Sequence, residues 1–332
     1  MPQALGYCVS AACLIWLLHG YPIKEELIPA IKDLDWKWIV LAILADLSVY
    51  VIHGWRWKTL LGPVIQLRFW RTVQAIFIGL FANEVLPLRT GELIRCYLLA
   101  HWNDLRLSLS FASAAVERLI DGVFMVAAFL VTLGFVNGVP PNLILLGKAL
   151  AALLLFAAIL LVWIVMRKME PHAVLGESRW SATMRHVIEG LHLMGNLQTL
   201  GATTIISLLY FFLQVFSVYA LMKADEMDLS LWAAFGILAV IRLGTVVPNA
   251  PGNLGLLNAA CVTALHLFDV ETNVAKTFSI IMFAAWTLPL LLAGAVAVAQ
   301  TGLNIGELRD RARDSGQRSR QAPAQEPPAP TI

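Results

Sequence analysis

Six stretches of this chain, at about 4–20, 36–54, 110–136, 143–166, 200–222 and 276–300, are apolar over a length suited to crossing a lipid bilayer. A crossing helix needs about 20 such residues. So many apolar segments cannot all be hidden in one water-facing core, and a bilayer core admits only helices or closed barrels. An all-α polytopic membrane protein is therefore expected. Only 14% of residues are charged, against about 25% in soluble domains, which excludes an ordinary soluble enzyme. The net charge of +2 gives no basic excess for nucleic acid. Cys8, Cys13, Cys96 and Cys261 lie in apolar stretches without metal-ligand spacing, so no disulfide framework, metal site or cofactor is expected.

Two further apolar regions, about 72–100 and 231–267, are interrupted by Pro87 and Gly91, and by Pro248, Pro251 and Gly252. Each reads as a broken or re-entrant helix hairpin: two half-length helices meeting at an elbow. Parity does not separate a re-entrant hairpin from two full crossings. With a cytoplasmic N-terminus, the segments 55–71, 101–109, 167–199 and 300–332 face inside and hold 14 Lys/Arg, while the outer segments hold 5. This follows the inside-positive bias of membrane proteins, and it places both termini in the cytoplasm of a bacterial cell, at its inner membrane. Trp36 and Trp38 at one end of the second span, and Trp55 and Trp57 at the other, fit interfacial aromatic belts. The first span lacks the basic lead-in of a cleavable signal peptide. Residues 1–300 form one membrane domain. A cytoplasmic surface helix is expected at about 179–195, with a plain connector as the alternative, and a disordered polar tail over 301–332.

An offset of 161 residues lays Val85, Pro87, Gly91 and Leu93 on Val246, Pro248, Gly252 and Leu254. Three full spans separate the elbows, so they would enter from opposite sides. The chain then reads as an inverted repeat, with halves at about 36–136 and 200–300, an architecture that puts a binding site where broken helices meet. A half-helix start inside the bilayer carries unpaired N–H groups and partial positive charge. Starts near Thr90–Leu93 and Gly252–Gly255 would form a site for phosphate or carboxylate. Kinked helices without a ligand are the plain alternative.

Ten charged residues remain at membrane depth: Asp46, Glu84, Glu92, Glu117 and Asp121, with Arg89, Arg95, Arg118, Lys148 and Arg242. Each costs roughly 2.5–3.5 kcal/mol at the bilayer centre unless paired or wetted. Arg89, Gly91, Glu92, Arg95, Arg242, Asn249, Gly252 and Asn253 are the candidate substrate-binding residues. Asn83, Glu84, Glu117, Arg118 and Asp121 are assigned to a polar path or to structural ion pairs, the acidic pair Glu117 and Asp121 being spaced to hold an Arg from a neighbouring helix. Pro87, Pro248 and Pro251 shape the elbows. No catalytic motif or constellation is present.

The segments FANEVLPLRTGELIRCYLL (81–99), VERLIDG (116–122) and VPNAPGNLG (247–255) resemble the lysylphosphatidylglycerol synthase transmembrane region, a flippase-like family, over about residues 5–300. Asn83, Leu86, Pro87, Arg89, Gly91, Glu92 and Arg95 match its first motif, Glu117, Arg118 and Asp121 its Glu-Arg-x-x-Asp, and Pro251, Gly252, Leu254 and Gly255 its second elbow. Asn253 stands where a second Gly is frequent, and Asn258 where an acidic residue often follows. The resemblance implies movement of an aminoacylated phospholipid, or service to hopanoid, glycolipid or polyprenyl-linked pathways, here without the soluble aminoacyltransferase domain of the full synthases. The expected function is therefore a non-enzymatic lipid translocase. Its partner is a membrane lipid with a phosphate-bearing head group, and homo-oligomerisation stays open. The alternatives are a non-transporting accessory protein in lipid, hopanoid or glycan-lipid synthesis, and a membrane-embedded lipid-modifying enzyme.

Overall fold

The computed structural model describes residues 2–86, 90–134, 141–167, 192, 194–245 and 251–302, and all regular structure among them is helical. In chain order the helices are α1 (Pro2–Leu18), α2 (Leu27–Asp33), α3 (Trp36–Leu61), α4 (Phe69–Val85), α5 (Gly91–Trp102), α6 (Leu107–Leu133), α7 (Pro141–Arg167), α8 (Leu197–Ala224), α9 (Leu231–Gly244), α10 (Leu256–His266) and α11 (Thr272–Thr301). Among the described residues, α3, α8 and α11 are long and apolar enough to cross a membrane. The other expected full spans coincide with α1, at 17 residues, and with α6 and α7, at 27 each. The expected surface helix at 179–195 lies almost wholly outside the described residues, and so does the tail from 303 onward.

Local chemistry sets the ends. Asp35, Asn196 and Ser230 cap α3, α8 and α9 by accepting from backbone N–H groups of Lys37, Gln198 and Ala233, which pairs donors that the first helical turn leaves unused. Leu86 takes an extended conformation, φ −99° and ψ 145°, as a residue before proline is pushed to do. That ends α4 at Val85 and makes the first elbow. The second elbow is a short 3-10 turn, Pro251–Asn253, in which Gly252 has φ +68°.

The two halves follow the same plan. A long helix (α3, α8) leads into a short pair (α4 with α5, α9 with α10), and a second long helix follows (α6, α11). Packing follows the same correspondence: α3 lies along α8, α4 against α11, and α9 against α6. Ser217 Oγ donates to the Ala42 carbonyl at 3.0 Å and Arg56 reaches Ser207 at 3.4 Å, so α3 and α8 run antiparallel. Gln74 of α4 meets Gln300 of α11, while Gly236 of α9 lies against Thr132 of α6. In both pairs the start of the short helix meets the end of the long one.

One expected boundary moves. The second span continues to Leu61 instead of ending near 54, because no proline or glycine pair stops it before Gly62. Arg56 therefore belongs to a buried helix face and not to a cytoplasmic loop. Trp57 is fully buried, its Nε1 donating to Ser113 Oγ at 2.7 Å, so it is not part of an interfacial belt. Trp36 and Trp55 are exposed.

Candidate functional site

A cavity of about 650 Å³ opens between the two elbows. Asp46, Tyr50 and His53 of α3 form one wall, Asn83 and Glu84 the end of α4, and Glu92 the start of α5. Arg118 and Asp121 come from α6, Tyr210 from α8, Arg242 from α9, and Pro251, Gly252 and Asn253 from the second elbow. Helical spacing explains the α3 wall, since positions 46, 50 and 53 repeat at i, i+4 and i+7 on one face. Of the expected binding residues, Glu92, Arg242, Gly252 and Asn253 thus share one space. Arg89, Asn249, Pro87 and Pro248 lie outside the described residues.

The elbows meet closely. A β-carbon on Gly252 would stand 2.6 Å from the Glu84 carboxylate, and one on Gly255 2.6 Å from the Ser10 carbonyl of α1. Gly252, Asn253 and Gly255 have φ of +68°, +55° and +81°. Asn253 thus occupies a left-handed position, which explains why glycine suits that place and why asparagine substitutes for it. Asn258 is buried and donates to the Ser279 carbonyl at 2.9 Å, tying α10 to α11. In the first elbow, α4 and α5 cross with Gly79 against Gly91. The Gly91 N–H donates to Asn83 Oδ1 at 2.8 Å, so this donor, expected to face an anion, is taken up by the protein itself.

Beneath the cavity lies a continuous ionic network. Arg56, 0% exposed, donates from Nε to Glu117 Oε1 at 3.2 Å and grips Asp121 with both terminal nitrogens. Arg95 reaches Glu117 Oε2 at 3.2 Å and Glu92 Oε2 at 2.9 Å. Arg118 pairs with Glu92 and lies 3.9 Å from Asp121. His53 Nε2 is 3.3 Å from Glu117 Oε2. Three arginines face three carboxylates, so the formal charge closes. The guanidinium planes also stack, Arg56 over Tyr210 at 4.5 Å and Arg95 over Trp57 at 4.7 Å, a desolvated cation–π geometry. Arg95 is 2% exposed and does not line the cavity. Arg118 is half exposed at its side chain and does line it.

Arg242 behaves differently. It donates to Gln214 on α8 and makes no ion pair among the described residues. Across the same space Asp46, 6% exposed, accepts a hydrogen bond from Tyr50 Oη at 3.0 Å. Sequence reasoning missed His53, Arg56, Tyr50, Tyr210 and Gln214. Tyr50 and His53 lie inside the expected second span, where their i, i+4, i+7 recurrence with Asp46 was the available signal, and only Arg56 lies beyond its expected end.

Comparison with known proteins adds the lineage. A family model described as the lysylphosphatidylglycerol synthase TM region matches residues 3–294. A UPF0104 membrane protein of Methanothermobacter thermautotrophicus is 23% identical over 300 residues, covering 84% of this chain and 86% of its own. One from Methanocaldococcus jannaschii is 25% identical over 219 residues, 62% of this chain and 92% of its own. One from Pyrococcus horikoshii is 30% identical over 133 residues, 38% of this chain and 40% of its own. No solved structure matches.

Proposed function

Since the chain belongs to the lysylphosphatidylglycerol synthase TM region family, we propose that it is a lipid translocase that passes a polar head group through the cavity between the elbows, without changing it chemically. The observation that carries this reading is a head-group-sized cavity of about 650 Å³ inside an apolar helical bundle, with several charged side chains on an otherwise largely apolar wall and bordered by two half-length helix pairs. Ligand sites typically measure about 300–1,000 Å³. Acyl chains remain in lipid while the head group travels. Arg242 and the exposed face of Arg118 supply cations for a phosphate. Donors at the second elbow, including the Asn253 side chain, complete the contacts. The buried ionic network keeps α3, α5 and α6 in fixed relation while this happens.

In this reading the halves form an inverted repeat about an axis in the membrane plane. The antiparallel contact of α3 with α8 and the matched α4–α11 and α9–α6 contacts support it. Loop charge supports cytoplasmic termini in a bacterial inner membrane.

The test is translocation of a fluorescent-acyl phosphatidylglycerol in reconstituted vesicles, with the lipid recovered afterwards by mass spectrometry. The expected result is leaflet exchange by the purified protein, chemically unchanged lipid, and a rate at least about tenfold lower in Arg242→Gln, the loss of one charge-assisted contact of about 1.5–3 kcal/mol. No exchange by the wild type overturns translocation. Chemically altered lipid overturns the non-enzymatic reading. Wild-type rates in both Arg242→Gln and Arg118→Gln, at equal folded protein, overturn the site.

A further inference from the structure

The ionic network accounts for Glu92, Glu117 and Asp121, but not for Asp46. This carboxylate sits near the middle of α3, 6% exposed, on the cavity wall. Its one hydrogen-bond partner among the described residues is Tyr50 Oη, which donates to Oδ2 at 3.0 Å and leaves Oδ1 without one. No cation of the described residues stands within ion-pair distance of it. Titratable groups on several helices face it across the cavity, among them Glu92 at the start of α5, which is engaged with Arg95 and Arg118. Tyr50 and His53 lie on α3 itself, and Glu84 on α4. Arg118 and Asp121 come from α6, Tyr210 from α8 and Arg242 from α9, while α11 offers only uncharged Trp286, Thr287 and Leu290. Arg118 and Asp121 are engaged with the network, and Arg242 is held by Gln214.

A carboxylate held at this depth without a cation costs roughly 2.5–3.5 kcal/mol as an anion. Binding a unit positive charge is one way to remove that cost. A sodium ion would need several further oxygens around Asp46, and the hydrogen bonds of the described residues bring it only the Tyr50 phenol. A proton needs one free oxygen, which Oδ1 provides while Oδ2 keeps its bond to Tyr50.

We propose that Asp46 is a proton-coupling site: it takes up one proton from one side of the membrane and releases it to the other as the head group passes Arg242. The step is a simple protonation. The proton bonds to Oδ1, the charge of Asp46 goes from −1 to neutral, and nothing is oxidised or cleaved. This rests on the translocation reading of the same cavity and adds the driving ion to it.

The experiment uses the full chain in vesicles of phosphatidylcholine and phosphatidylglycerol carrying fluorescent-acyl phosphatidylglycerol, read at equilibrium so that rate does not enter. With one proton per lipid, a gradient of one pH unit shifts the leaflet ratio of the probe about tenfold, since one pH unit is 1.36 kcal/mol per proton. A sodium gradient shifts nothing. In Asp46→Asn the pH gradient no longer shifts the ratio. A wild type that equilibrates the probe but ignores the pH gradient overturns the inference and leaves the translocation reading standing. So does a shift that follows sodium, or one that persists in Asp46→Asn. A wild type that moves no probe overturns the translocation reading instead. Asp46 is then judged independently by infrared spectra of the purified protein from acidic to alkaline pH. A titrating carboxylic-acid carbonyl band that is present in the wild type and lost in Asp46→Asn supports the assignment, and its absence overturns it.

Discussion

Arg56 is the residue on which the buried chemistry turns. Its guanidinium is shared between Glu117 and Asp121 with no solvent contact, and removing it leaves buried carboxylates without their counter-charge. Arg56→Gln is expected to cost about 3–5 kcal/mol, read as a lowered thermal midpoint in detergent. Asp121→Asn in the same chain should recover part of that loss, because it removes one of the stranded charges. A second residue gives a pH test outside the spans. Asp225, just past the end of α8, has its carboxyl pushed up from 3.8 to about 6 by burial, with the neighbouring Glu226 adding to it. A carboxyl raised in the folded state favours folding below its unfolded value, and that contribution is lost as pH rises through about 6. Asp225→Asn should therefore be more thermostable than the wild type at pH 7, and the difference should vanish near pH 4. The charges themselves were legible in the sequence. The partners of Glu117 and Asp121 were not, since 61 and 65 residues separate them from Arg56.

At the level of elements, each elbow is held by a different device. The first depends on two glycines where α4 crosses α5, with backbone on both sides of the contact. Gly91→Ala should drive the helices apart and cost about 1–3 kcal/mol or more, measured as loss of thermal stability. Gly122→Ala is the control, because the nearest atom to its new carbon is a Leu154 methyl at 3.0 Å, which a side-chain rotation can clear. The second elbow depends on backbone handedness. Asn253→Gly should be tolerated, whereas Asn253→Val should destabilise the turn by about 1–2 kcal/mol, the cost of a left-handed L-residue. Gly91 and Gly252 fall where the described helices are interrupted, since such residues act through the chain's own φ and ψ, while Pro87 and Pro248 lie outside the described residues. The first helix start falls at Gly91, within the expected Thr90–Leu93, and the second at Leu256, just past the expected Gly252–Gly255. What was not legible was that Asn83, eight residues back, occupies the first amide of α5.

Among the described residues, two four-helix groups, α3–α6 and α8–α11, pack together chiefly through α3 and α8, with α1, α2 and α7 beside them. Lys58, in the last turn of α3, and Asp228, in the loop after α8, fall at opposite ends of that antiparallel pair. In a variant without native cysteines, a membrane-impermeant thiol reagent should label Asp228→Cys in intact cells and Lys58→Cys only after permeabilisation. Labelling of both from one side would contradict the antiparallel arrangement, and the reverse pattern the cytoplasmic N-terminus. The amino-acid sequence by itself determined that this chain is helical and membrane-embedded, roughly where each long helix lies, and where two of the segments break. Apolar run length, proline geometry and loop charge are local properties, and each acts within a few residues. Only the tertiary structure decided that Glu92, Glu117 and Asp121 are neutralised by three arginines from three helices, that Arg95 is enclosed while Arg242 faces open space, and that Asp46 is left over. Those outcomes depend on which helix faces meet across 20 to 200 residues of chain, and the energy that selects them comes from burying opposite charges together.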